Sequence, residues 1–235
     1  VSGVRVAFVV TAGGGTFGGW DSIVTFTDTL GRARPRFDQL GPEATPLRLG
    51  TVAGANVVEA RAAVPVGAPV TFTATAVPGR AWRLDFTVEP TSVEAGRSIT
   101  PALQVTVRDT FGNRVNAATP QVALGILPGS GRAGARIKGT AAVSAVDGVA
   151  TFPADVTVDS VGTGYRLAAT SGGLQPDTSV TFEVTPGALD NLAFLTPPTI
   201  GVAGRVFDPP LQVALRDANG NRVTTARVDV QLAVY

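Results

Sequence analysis

The strongest constraint on this chain is internal: residues 84–124 reappear, without a gap, at 192–232. At a shift of 108 positions, 20 of the 41 aligned residues are identical. They include Leu84/Leu192, Phe86/Phe194, Pro101/Pro209, the AGR at 95–97 and 203–205, and the LQV at 103–105 and 211–213. A polar turn comes with them, RDTFGNRV at 108–115 and RDANGNRV at 216–223. A period of roughly 100 residues is too long for a solenoid unit and is the size of a small domain. The sequence is a string of domains.

One period reads as short strands. LQVTVRD (103–109) alternates apolar and polar residues with period two, as a half-buried antiparallel strand does. LDFTV (84–88), QVALGIL (121–127), IKGTAAVSA (137–145), VATFPADVTV (149–158), YRLAAT (165–170) and SVTFEVTP (179–186) complete the set. Turn-forming words such as PGSG, VDG and SGG separate most of them. Seven such strands predict an all-β fold of tandem immunoglobulin-like sandwiches. The expected core is Phe86, Leu103, Val105, Val107, Phe152, Leu167 and Phe182.

Composition narrows the function classes. Hydrophobic residues make up 44% of the 235, and 28 Gly with 17 Pro suit many turns. Nineteen basic against 18 acidic residues leave a net charge of +1, so neither nucleic acid nor an anionic membrane is an expected partner. No apolar run has the length of a transmembrane helix. The absence of Cys and His removes thiolate metal sites, disulfides and Ser–His–Asp or Cys–His catalysis. Lys138 is the only lysine; this bias to Arg, without Cys or Met, fits either a hot environment or a G+C-rich genome.

Residues 1–83 follow the same template without its first two strands. FTDTLGRAR (26–34) resembles SAVDGVATF (144–152), AGANVVEARA (53–62) resembles GTGYRLAAT (162–170), and VTFTATAVPGRA (70–81) resembles VTFEVTPGA (180–188). Residues 192–235 are the reverse case, two strands and part of a third. The expected domains are therefore 1–83, 84–191 and 192–235. Two explanations stay open: a window on a longer chain, or subunits in which 192–222 of one completes 1–83 of the next by donor-strand complementation. The second is a head-to-tail contact and gives an open filament.

The words DANGNRV (217–223), DTFGNRV (109–115), VDGVATF (146–152) and AGANVVEA (53–60) give the chain a family likeness. It resembles the bacterial immunoglobulin-like repeats of the invasin and intimin type. That resemblance implies an extracellular or cell-surface rod, often a stalk holding an adhesive tip away from a bacterial cell. The lectin-like tip of such proteins has no counterpart here.

Other motifs read as structure. GSGRAG (129–134) matches a dinucleotide fingerprint, but ARIKG follows it in place of a helix. DANGN (217–221) opens like a calcium loop, yet its sixth and twelfth positions are Arg222 and Val228 rather than Gly and Glu. The simpler reading has Asp217 capping a tight turn and Gly220 supplying positive φ. Glu89, Glu94, Asp147 and Asp155 fall at turns or outward positions, and Lys138 is expected in solvent.

No enzyme activity, cofactor or metal is expected. The predicted role is mechanical, with short joints from Pro78 to Leu84 and from Pro186 to Leu192 restricting the angle between domains. Candidate contact residues between subunits or domains are Trp82, Leu192, Phe194, Leu211, Val213 and Leu215. The alternative is a stalk or binding segment of a surface adhesin, or a carbohydrate-binding accessory module using Trp20 beside its glycines.

Overall fold

A computed structural model describes residues 1–35, 45–63, 68–197 and 200–233. These residues are all-β, and no helix occurs among them. They gather into two compact units: Val1–Ala81 with Arg108–Val115, and Trp82–Val107 with Asn116–Tyr235.

The first unit is built on an antiparallel sheet in the order Ser22–Phe26, Arg5–Ala12, Gly54–Ala62, Val70–Ala76. The alternation of SIVTF decides its faces: Ile23 and Thr25 are buried, while Val24 and Phe26 lie outside. Phe17, from a two-residue ladder with Leu47–Arg48, packs on Ile23 and Val58 beside Phe8, Val10 and Leu47. Phe8 meets the Phe17 ring edge-on at 6.4 Å between centroids. Asn56 is a buried polar residue in this unit; its Oδ1 accepts the Gly50 N–H at 2.8 Å.

The second unit is an immunoglobulin-like sandwich. One sheet runs Ala142–Ser144, Gln121–Ile126, Leu167–Thr170, Asp177–Thr178. Across the core lie Val149–Thr151, Gln104–Arg108 and Arg83–Val88, with Gly162–Tyr165 and Phe182–Thr185 in a further ladder. All seven expected core residues are buried. Tyr165, also buried, donates its hydroxyl to the Ser160 carbonyl at 2.8 Å, which is the tyrosine corner of this fold.

Three expected strands are broken, each for a local reason. The run 137–145 divides into Ile137–Lys138 and Ala142–Ser144, because Gly139 takes positive φ and Thr140 turns to the Asp155 carboxylate. The run 149–158 divides around Pro153, which has no N–H for a ladder. At 165–170 the chain changes sheets: Tyr165 pairs with Phe182, and Leu167–Thr170 pairs with Gln121–Ile126.

A last hairpin, Leu189–Thr196 with Gln212–Asp217, belongs to the second unit. It sets Leu192 opposite Leu215 and Phe194 opposite Val213. The repeat continues in the backbone: Thr100–Pro101 and Asp208–Pro209 are both cis and stand 108 positions apart.

Candidate interaction surface

The repeated turn is a carboxylate cage. In the second unit Asp217 accepts the N–H groups of Asn219 and Asn221 at 2.9 and 2.8 Å and that of Gly187 at 3.0 Å. The Asn221 Nδ2 donates to it as well, at 3.0 Å. Gly220, at φ 80°, closes the turn in a conformation that a side chain would strain. Asn221 then fastens the turn, donating to the Asp159 carbonyl at 2.8 Å and accepting the Val161 N–H at 3.1 Å. The capping role of Asp217 and the positive φ of Gly220 are as the turn chemistry implied.

The first unit repeats the cage bond for bond. Asp109 accepts from Phe111 and Asn113 N–H at 2.9 Å each, from Gly79 N–H at 2.8 Å and from Asn113 Nδ2 at 2.9 Å. Asn113 donates to the Thr51 carbonyl at 2.8 Å and accepts the Ala53 N–H at 2.9 Å. Every partner is displaced by 108 from its counterpart. Burial alone would raise the Asp109 pKa; the bonds from Asn113, Gly79 and Phe111 outweigh it and hold the carboxyl at about 2. The Asp217 carboxyl is lowered for the same reasons, with burial again opposing. In sequence the turn was legible; the distant Gly79, Thr51 and Ala53 were not, since nothing local marks a tertiary hydrogen bond.

The same cage anchors a hairpin that presents apolar side chains to solvent. Leu84 is 2% exposed, and its repeat partner Leu192 is 52% exposed. Phe86 is buried, and Phe194 is half exposed. Leu211, Val213 and Leu215 are half-buried, whereas Leu103, Val105 and Val107 in the other copy are fully buried. Trp82 is half exposed, and its carbonyl accepts the Gln175 N–H at 2.9 Å.

The first unit carries an apolar face of its own. Val70 and Phe72 share a face with Ala60 and Val58, the core side of the sheet. Phe72 is nevertheless 58% exposed, while Phe182, which occupies the same place in the repeated VTF, is 4% exposed. In the second unit the strand of Phe182 is paired with Val93–Glu94. No strand of the first unit stands in that position among the described residues. Trp20 is also exposed, on a tight turn in which Gly18 and Gly19 both have positive φ.

Among the described residues no three carboxylates gather to hold a metal ion. Asp155 is engaged by Thr140, Glu94 by Arg97, and Lys138 stands 4.0 Å from Asp159. Among the described residues no helix is long and apolar enough to cross a membrane.

No protein-family model matches the chain, and no curated protein does. Solved structures do. The FdeC adhesin of Escherichia coli is 19% identical, over 96% of this chain and 78% of that one, with a TM-score of 0.40. The adhesin InvE of Yersinia pseudotuberculosis is 14% identical, over 74% of this chain and 61% of that one, with a TM-score of 0.32. A β-glucuronidase of Parabacteroides merdae is 16% identical over 76% of this chain, with a TM-score of 0.32, and the chain spans only 21% of its length.

Proposed function

We propose that this chain is a non-enzymatic structural segment of a bacterial surface protein, made of tandem immunoglobulin-like sandwiches and joined head to tail by strand complementation. In this reading the Leu189–Thr196 and Gln212–Asp217 hairpin of one copy supplies the first two strands of the next copy's first unit. The observation that carries it is the contrast within the repeat: Leu84 and Phe182 are buried in one place, and their equivalents Leu192 and Phe72 are exposed in another. Segment 192–222 is the donor, of which 198 and 199 lie outside the described residues. Donor and acceptor are different segments of the chain, so the contact is head-to-tail and propagates as an open filament. The extracellular setting and the mechanical role follow from the family resemblance.

Sedimentation velocity of the whole 235-residue chain tests this. A weight-average mass that climbs with concentration, and that Leu192→Asp with Phe194→Asp returns to 23.9 kDa, is the expected result. A single 23.9 kDa species at every concentration would exclude self-completion.

A second reading is favoured by Trp20, whose exposed indole on a glycine turn suits stacking on a sugar face. It makes the chain a binding segment of an adhesin or a carbohydrate-binding module. A saturable glycan-array signal abolished by Trp20→Ala would support it, and a blank array counts against it.

A further inference from the structure

In the second unit the turn that follows Val93–Glu94 is held from two sides. Glu94 is the ladder partner of Thr185, and the Ala95 N–H donates to the Thr185 carbonyl at 2.8 Å. From the other side the Asn219 side chain donates to the Ala95 carbonyl at 3.3 Å, close against Gly96. Polar groups meet polar groups here, and Glu94 also pairs with Arg97 at 3.7 Å.

The 108-residue shift changes this contact on both sides at once. Ala95 and Gly96 keep their identities as Ala203 and Gly204, but Glu94 becomes Val202, Thr185 becomes Val77 and Asn219 becomes Phe111. The pair Glu94 with Thr185 is thus replaced by Val202 with Val77, and the amide donor is replaced by an aromatic ring. Val202, Val77 and Phe111 are all exposed. Val77 and Phe111 line one cavity of about 160 Å³, together with Ala76 and Gly79. A scattered exposed Val needs no explanation; apolar residues replacing polar ones on both sides of the same repeat contact do.

We propose that Val77 and Phe111 form the seat for the turn Val202–Arg205 of a second copy of this chain, with Val202 beside Val77 as Glu94 is beside Thr185. The inference rests on the head-to-tail reading above and sets its register. It also gives specificity: the turn of 94–97 placed in that seat would set Glu94 beside the apolar Val77 in place of the polar Thr185, and would meet the Phe111 ring in place of the Asn219 amide. Each turn is matched to one seat.

The absence of native Cys makes the test direct. Copies carrying Val77→Cys, mixed with copies carrying Val202→Cys, should form a disulfide-linked dimer of one of each. The rate should exceed, by about tenfold or more, that of Val202→Cys mixed with Val146→Cys, an exposed control that is not part of the seat. In parallel, Val202→Glu should weaken association about tenfold, and adding Val77→Thr and Phe111→Asn to it should restore association by recreating the polar set of the second unit. That restoration separates a lost contact from a misfolded variant. Chains that associate while the cross-link stays at the control rate, or for which Val202→Glu changes nothing, would overturn the seat and leave the head-to-tail reading standing. Chains that do not associate at all would remove both.

Discussion

Asp109 and Asp217 show how much one side chain can organise. Each is almost fully buried and accepts from three backbone N–H groups and one amide, so none of its capacity is wasted on water. Truncating either to Ala would strand these donors and should cost about 2–4 kcal/mol in urea unfolding. Because both pKa values are lowered on folding, the stabilisation is complete above about pH 4, near the ordinary 3.8, and is lost as the pH falls through about 2, the Asp109 value. Thermal unfolding from pH 5 to 2 should therefore show a falling midpoint, with a shallower fall in Asp109→Ala. Sequence reasoning found the cap because Asp-x-x-Gly-Asn is local chemistry. It missed Tyr165, whose importance depends on Ser160 and on Gly131, where any Cβ would overlap the Tyr165 ring. Of the glycines of GSGRAG, Gly131 serves that packing, while Gly129 and Gly134 supply positive φ in open turns.

At the scale of strands, the same words have different consequences in different surroundings. VTF at 70–72 and at 180–182 is identical, yet only the strand of Phe182 is flanked by a further strand, Val93–Glu94, and only Phe182 packs against the Tyr165 ring, at 5.7 Å between centroids. Phe182→Ala should cost about 3–5 kcal/mol, as a buried aromatic deletion does. Phe72→Ala should cost less than about 1 kcal/mol in dilute solution, measured by the same chemical unfolding. Strand existence was legible from period-two alternation, and so was the buried face of LQVTV. Strand continuity was not: Gly139, Pro153 and the sheet change after Tyr165 break runs that look unbroken as text, because pairing partners are chosen in three dimensions.

For the whole molecule, the 108-residue period does most of the explaining. It was visible from sequence alone, and it recurs in both cages and both cis prolines. The paired changes at Val77, Phe111 and Val202 were not visible, because a substitution gains meaning only once its contact is known. Complementation predicts that the donor hairpin and the acceptor face become protected together. Hydrogen–deuterium exchange of the intact chain, followed from nanomolar to high micromolar concentration, measures this. Head-to-tail joining requires the amides of 189–196 and of 70–76 to slow in step as concentration rises, while those of Leu167–Thr170, already inside a sandwich, stay constant. Exchange at both segments that is the same at every concentration would contradict it.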